Sequence, residues 1–354
     1  MPSPRELLGT PPWTAPHPPA SIPLPRSCEV LVVGAGVTGL SAALAVASRG
    51  QDVVIVDRRF GSGAACRSGG IIVGDTLIGP VPGFERCDLE LRDWVSANAP
   101  ACRLQWAGCM ELDRDDRLRA QPVDWQDAGL VRLSRVVEGG TLDPAALVSA
   151  LAWAAVERGA RFVDGLAIDR CERSGSRLMA SGGGQSVHAG AVLFATDATD
   201  VGTRRLWPQR QLTVAMETTT IPDALADEIG WGDRRPFYTN ELPLLWGRAL
   251  DDGALLAGRE LVPLDESTSF EPAFERASAT LIARIRGLHP ALARIEPRRF
   301  WAGPIARDES GVPSVVADPD LVGVWWAGGY GGHGLAQAFR LGEIAARTIA
   351  HSGR

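Results

Sequence analysis

Residues 28–57 read CEVLVVGAGVTGLSAALAVASRGQDVVIVD, and no other stretch restricts the fold as far. Glu29–Val33 is a short apolar run that stops at glycine, the pattern of a strand buried in a parallel sheet. Gly34, Gly36 and Gly39 follow in G-x-G-x-x-G spacing. Leu40, Leu44 and Ala47 then recur at helical spacing, and Gly50 supplies a stop. Val53–Val56 is a second apolar strand, closed by Asp57. The stretch predicts a β-α-β unit.

Each residue type in that unit has a physical task. Gly34 allows a tight turn, Gly36 lets backbone N–H groups approach a pyrophosphate, and Gly39 lets the helix pack closely on the sheet. The helix start faces an anion with unsatisfied donors and a favourable dipole. Asp57 stands 18 residues after Gly39 and can accept hydrogen bonds from ribose hydroxyls, while its charge repels a 2′-phosphate. The expected ligand is a dinucleotide without that phosphate.

The 354 residues allow roughly two domains or one large composite domain. At 45% apolar and 22% charged, the composition supports an ordinary globular core. With a net charge of −6 and no basic block, nucleic acid is not an expected partner. No uncharged apolar span is long enough to cross a bilayer, and the Pro-rich start lacks the form of a secretory signal. The six cysteines form no C-x-x-C and no zinc spacing, so no metal is expected and a reduced, cytoplasmic protein is. All 36 basic residues are arginine.

Taken in order, Met1–Pro25 predicts an extended lead over the body, with Trp13 as its pin. Arg58–Gly70 is a loop rich in small residues with Arg67 inside it, suited to close approach to a flat ligand and anchored by Ile71-Ile72-Val73. Leu89–Asn98 is helical, and Leu104–Leu112 and Leu130–Val137 are strands of a separate layer. Thr141 or Asp143 caps a helix running from about Pro144 to Arg158, and Ala160–Val163 begins a strand. Arg177–Ala180 and Ser186–His188 form a hairpin about Gly182–Gly184, and Ala191–Ala195 is a further strand. Leu212–Thr220 and Ala254–Leu256 are strands of the second layer, which also holds a helix around Glu271–Ile285. Val322–Ala327 then leads through a glycine-rich turn into a terminal helix, Leu335–Ala350, whose dipole can face a ligand. A second dinucleotide motif is not visible, which argues against an enzyme holding two nucleotides on two such folds.

Four places resemble the FAD-dependent D-amino-acid oxidase, sarcosine oxidase and glycine oxidase family, in particular its gamma-glutamylputrescine oxidase-like branch. They are VVGAGVTGLSAALAVASRG with IVDR, GSGAACRSGG, GTLDPAALVSALAWAAVERGA with VLFATDA, and WAGPIARDESGVPSV with WWAGGYGGHGLAQAF. The resemblance implies an α/β composite fold: a Rossmann-like FAD-binding domain over 1–85, 141–205 and 295–354, and a discontinuous, mainly antiparallel-sheet substrate domain over 86–140 and 206–294. It implies that Gly34, Gly36, Val37, Thr38 and Gly39 hold the FAD diphosphate and that Asp57 holds ribose. Arg58 would sit beside adenine, with Ala167 and Ala195 as backbone contacts. Arg67, Ser68, Gly69 and Gly70 would lie under the isoalloxazine ring. Gly331, Gly332, His333, Gly334 and Leu335 would face its pyrimidine edge.

The same resemblance implies oxidation of a small-molecule amine or amino acid, with O₂ or another electron acceptor. Pocket candidates are Arg67, Tyr238, Trp246, Trp301 and His333: an arginine can clamp a carboxylate, and aromatics can flank an ammonium. Two departures stand out. Ala65-Cys66-Arg67 replaces the branch's usual Ser-Gly-Arg, so Cys66 is either a small buried thiol or an unusual flavin attachment point. Sarcosine-oxidase-like members activate O₂ with a lysine, and this chain has none. A flavin-binding subunit with a degenerate pocket is the competing expectation; an NAD-dependent dehydrogenase leaves the glycine-rich C-terminal return without a role.

Overall fold

The β-α-β unit forms where its apolar periodicity requires: β1 (Ser27–Val33), α1 (Val37–Ala47) and β2 (Val53–Asp57). The computed structural model describes residues 9–74, 81–114, 131–202, 207, 209–241, 244–263, 270–332 and 334–352. After β2 come β3 (Ile71–Val73), α2 (Cys87–Asn98), β4 (Cys109–Arg114), β5 (Val131–Val137), β6 (Gly139–Thr141) and α3 (Pro144–Glu157). Next are β7 (Arg161–Asp164), β8 (Arg170–Ser174), β9 (Arg177–Gly182), β10 (Gln185–Phe194), β11 (Gln209–Thr220), α4 (Asp223–Glu228), β12 (Phe237–Thr239) and β13 (Trp246–Ala249). The chain ends through β14 (Ala254–Pro263), α5 (Phe270–Arg286), β15 (Pro297–Arg307), β16 (Ser314–Ala317), β17 (Val324–Gly328) and α6 (Gly334–Ser352).

Among the described residues one sheet runs β16-β17-β10-β1-β2-β7, with β9 and β8 branching from β10. The strands β17, β10, β1, β2 and β7 are mutually parallel. Both faces of this sheet are covered, which is why its strands read as unbroken apolar runs. Val30, Val32, Val53 and Ile55 pack with α1, α3 and α6, while Leu31, Val33, Val54 and Val56 pack with Leu178, Ala180 and Trp326 on the other side. Ser41 Oγ donates to the Phe339 carbonyl at 2.7 Å, tying α1 to α6. Asp143 is the cap of α3: its Oδ1 accepts from the N–H groups of Ala145 and Ala146 at 2.9 and 3.0 Å, with Pro144 in the first turn. Such a cap contributes about 1 kcal/mol.

A seven-stranded sheet runs β15-β11-β14-β13-β12-β4-β5 and is antiparallel apart from the parallel pair β12–β4. Helix α5 lays Leu281 and Ile285 on one of its faces, in a core with Val214, Met216 and Phe237. The other face looks toward the β-α-β unit and forms a wall of the site.

The structure differs from the sequence reading in three places. The hairpin arm and the strand at Ala191–Ala195 are one strand, β10, antiparallel to β9 at its start and parallel to β1 along its length. The turn narrows to Gly183 and Gly184, with φ of +55° and +76°, the pairing of positive angles that a tight hairpin needs. The predicted strand at Leu104–Leu112 begins only at Cys109, after a single bridge from Gln105 to Thr141.

Candidate active site

A cavity of about 670 Å³ lies between the first sheet's dinucleotide loop and the open face of the seven-stranded sheet. Gly34 turns out of β1 with φ of +106°, and a Cβ there would lie 2.6 Å from the Ala195 carbonyl oxygen. A Cβ on Gly39 would lie 1.9 Å from the Gly34 carbonyl oxygen, so α1 can approach its own loop only with glycine at that position. Gly36 is the reverse case: nothing lies within 4 Å of where its Cβ would be, and the residue lines the cavity. A side chain there would fill the cradle. No side chain caps the start of α1, so its first N–H groups are left to a ligand.

Asp57 ends β2 at the same cavity. Its Oδ2 accepts from the Ala35 N–H at 2.6 Å and its Oδ1 from the Arg59 N–H at 2.7 Å. Burial pushes this carboxyl above its ordinary value; the two N–H groups and Arg58 oppose that, and Asp164 adds to it. Each oxygen keeps a lone pair for a hydroxyl donor. Loop, helix start and carboxylate together fit the diphosphate and ribose of a dinucleotide. Val37, Thr38, Arg58, Ala167 and Ala195 also line the cavity, whereas Gly39 stands behind it.

The small-residue loop is held by its carbonyls. Trp301 Nε1 donates to the Arg67 carbonyl at 3.0 Å and Trp13 Nε1 to the Ser68 carbonyl at 2.9 Å. Arg248 Nη1 reaches the Leu142 carbonyl at 2.7 Å and those of Gly69 and Gly70 at 3.4 Å, with its guanidinium over the Trp13 ring. Burial lowers Arg248 to about 10. The Arg67 guanidinium is itself committed to backbone, donating to the carbonyls of Ala302 at 2.5 Å and Gly9 at 2.7 Å. Arg67, Ser68, Gly69 and Gly70 line the cavity. Trp301 does not: it is fully buried one layer back, a buttress of the loop and not a pocket wall. Arg67 likewise stands as a brace, with its charged head turned to carbonyls.

The opposite wall is a row of cross-strand neighbours. Arg135 pairs with Glu111, Glu111 with Tyr238, Tyr238 with Trp246, Trp246 with Gly258, Gly258 with Ala215 and Ala215 with Trp301. Three aromatic candidates from the sequence therefore fall on one line across seven strands, and of these Tyr238 and Trp246 reach the cavity. Alternate residues of β11 (Gln209, Gln211, Thr213 and Ala215) line it too, as the two-residue period of a strand dictates. Arg259 of β14 adds a buried charge, paired with Glu241 at 2.7 Å.

The glycine-rich return closes the third side through Gly331, Gly332, Gly334 and Leu335. His333 lies outside the described residues. Two residues here escape a reading of the sequence. Tyr330, half-buried at the cavity wall, shares a short hydrogen bond with the Thr38 hydroxyl and so joins this return to the dinucleotide loop. Asp197, with φ of +44°, accepts from the N–H groups of Gly329 at 3.2 Å and Ala306 at 3.3 Å. Burial raises its carboxyl to about 6. Among the described residues no group of His, Cys, Asp and Glu could hold a metal ion, and no helix is long and apolar enough to cross a membrane.

The architecture is shared with solved flavoenzymes. Glycine oxidase from Geobacillus kaustophilus superposes with a TM-score of 0.75 at 18% identity, covering 92% of this chain and 95% of that one. A probable oxidoreductase, OrdL, from Rhizobium meliloti (strain 1021) is 24% identical over 383 residues, 92% of this chain and 83% of its own. Gamma-glutamylputrescine oxidoreductase from Escherichia coli (strain K12) is 52% identical over 48 residues, 13% of this chain and 11% of its own. The chain spans 37% and 39% of the length of two other curated relatives it matches. The family model described as FAD dependent oxidoreductase (DAO) covers residues 29–348, and with that match over nearly its whole length the chain belongs to this family of FAD-dependent oxidoreductase enzymes.

Proposed function

We propose that this oxidoreductase takes two electrons and a proton, as hydride, from the carbon of a C–N bond in a small amine or amino acid. The nitrogen releases a proton as the C=N bond forms, and the resulting imine adds water and separates into a carbonyl compound and an amine. FAD, when bound, accepts the hydride at its isoalloxazine ring. The observation that carries this reading is one unbroken cavity running from the Asp57 carboxylate to the Trp246 ring. It offers a dinucleotide cradle at one end and an aromatic wall at the other. Several solved structures of this fold bear names that concern amino acids: glycine oxidase, L-proline dehydrogenase and L-amino acid deaminase.

In this reading Gly34, Gly36, Val37 and Thr38 hold the diphosphate, with Gly39 letting α1 pack behind them. Asp57 accepts from ribose, Arg58 lies by adenine, and Ala167 and Ala195 contribute backbone. Arg67, Ser68, Gly69 and Gly70 support the ring from below, and the start of α6, with Gly331, Gly332, Gly334 and Leu335, faces its polar edge. Substrate sits against Tyr238 and Trp246, where an aromatic face favours an ammonium. The sequence-based division into two domains is kept as part of the proposal, with β15 counted in the second because it pairs with β11. Cys28, Cys66, Cys87, Cys102 and Cys109 are buried thiols outside any disulfide, which supports a reducing, cytoplasmic setting.

Anaerobic titration of the FAD-loaded protein with a panel of amines, amino acids and hydroxy compounds tests this. Bleaching of the flavin by an amine or amino acid is the expected result. Bleaching by hydroxy compounds alone would move the reaction to a C–O bond, and no bleaching by any member would favour a non-catalytic flavin subunit.

A further inference from the structure

The Tyr238 hydroxyl donates to Glu111 Oε2 at 2.7 Å. The same oxygen accepts from Arg135 Nε at 3.2 Å and from Nη2 at 3.0 Å. Tyr238 is 3% exposed and Glu111 7%, while the Arg135 side chain keeps 46% of its surface, so the contacts run from the cavity wall outward to solvent. Strand register aligns them: Glu111 is the cross-strand partner of both Arg135 and Tyr238. Neither neighbour needs a long flexible reach.

The protons in this chain have a fixed sense. An ionised carboxylate only accepts hydrogen bonds, and a phenol has one proton to give. Burial on its own would raise the Glu111 carboxyl; the hydrogen bonds from Arg135 and Tyr238 outweigh it and hold the group below the usual carboxylate range. Burial, and then the bond to Glu111, push the Tyr238 phenol upward. Glu111 is therefore charged and Tyr238 neutral near neutral pH. With its proton directed at Glu111, the phenol oxygen has only lone pairs to offer in any other direction.

We propose that Glu111 makes Tyr238 an obligate hydrogen-bond acceptor at the substrate end of the cavity, so that the site takes a compound presenting N–H there and rejects a carboxylate. A carboxylate at that point would set two acceptors against each other with no proton between them. Tyr238 is the residue that touches the ligand; Glu111 and Arg135 act through it as positioning residues. The inference rests on the amine-oxidation reading and adds to it which end of the substrate meets the aromatic wall.

The test uses two probes that share a tert-butyl group and carry no oxidisable hydrogen beside the polar group, tert-butylamine and pivalate. FAD-loaded protein is titrated with each, and binding is followed by the perturbation of the flavin spectrum. In Tyr238→Phe the tert-butylamine Kd should rise about tenfold, the scale of one lost hydrogen bond to a charged group, while the pivalate Kd falls because the opposing acceptor is gone. In Glu111→Gln the preference for amine over acid should fall by a similar factor, because the carboxamide can donate to the phenol and free its proton. Adding Glu111→Gln to Tyr238→Phe should change the preference no further, which separates action through Tyr238 from a bare change of charge. A tert-butylamine Kd unmoved by Tyr238→Phe would overturn the proposal. So would an undiminished effect of Glu111→Gln in the Tyr238→Phe background, or no spectral response to tert-butylamine in the unaltered protein. Since neither probe can be oxidised, this outcome is independent of whether amines bleach the flavin.

Discussion

The indole of Trp246 fills the space that a side chain at residue 69 would need: a Cβ built on Gly69 would lie 2.4 Å from Trp246 Cζ3. The same ring excludes a side chain at Gly258, where the Cβ would lie 2.2 Å from Cζ2. One aromatic side chain thus sets the separation between the small-residue loop and the sheet face. Gly69→Ala should destabilise the protein by about 1–3 kcal/mol through overpacking, and Trp246→Leu should relieve part of that cost. Thermal melts of the two single variants and the double variant check it; additive losses would show that ring and loop are not in conflict.

Asp57 braces its own loop and presents its remaining lone pairs to the cavity. Asp57→Asn should weaken FAD binding by about 1.5–3 kcal/mol for each charge-assisted bond lost. FAD retention in equilibrium dialysis reads the effect. An FAD Kd equal to that of the unaltered protein would remove Asp57 from the ribose site.

Asp197 makes stability depend on pH with a definite sign. Its carboxyl stands at about 6 in the folded chain against an ordinary 3.8. Between those two values the folded state holds a proton that the unfolded state has released. The contribution of this group to stability therefore falls as pH rises through that window and is level above it. Asn tolerates the same left-handed backbone. The melting temperature of Asp197→Asn relative to the unaltered protein should climb from pH 4 to pH 6, and a difference that stays constant across that range would refute the assignment.

The flavin should be held without a covalent bond through Cys66. That thiol is 5% exposed, does not line the cavity and is pushed up to about 12, chiefly by burial. It is a buried thiol and not a thiolate nucleophile. Acid precipitation should leave the yellow colour in the supernatant; a yellow pellet yielding a flavin peptide that contains Cys66 would contradict this.

Reaction of the reduced enzyme with O₂ should be slow. Superoxide forms first, and a fixed positive charge in a dry site can stabilise such an anion by about 3 kcal/mol. No lysine exists to supply it. The arginine of the small-residue loop, Arg67, already donates to the carbonyls of Ala302 and Gly9. Stopped-flow mixing of reduced enzyme with O₂ measures the rate. Rapid reoxidation of the unaltered enzyme would refute this, and its persistence in both Arg67→Met and His333→Ala would show that neither side chain supplies the charge.

How much a sequence displays depends on where the partner of each residue lies. The unit from β1 to β2 is legible because strand, turn and helix signals sit within one short stretch. Asp143 is legible as a cap for the same reason, although Thr141 reads equally well until the bonds to Ala145 and Ala146 decide. β10 reads as two pieces because Gly190 interrupts it; the strand continues there because a Cβ at 190 would lie 2.8 Å from the Glu29 carbonyl oxygen, so only glycine allows that approach. β8 is polar and partly exposed, and gives no apolar signal. Gln209, Gln211 and Thr213 look like a solvent face, since a polar cavity wall and a wet surface have the same composition. Glu111 and Arg248 are invisible because Tyr238 lies 127 residues from the first and Leu142 lies 106 from the second.

The fastening of Gly9 to Arg67 and of Trp13 to Ser68 and Arg248 has a consequence for biosynthesis. The ribosome delivers Gly9 and Trp13 early, but Arg248, Trp301 and Ala302 emerge much later, and β17 later still. The parallel sheet cannot acquire its strand beside β10, nor the small-residue loop its full set of braces, until most of the polypeptide is out. A site braced from both ends of the chain is complete only once most of the chain has been made, and until then β1 lacks β10 at its side.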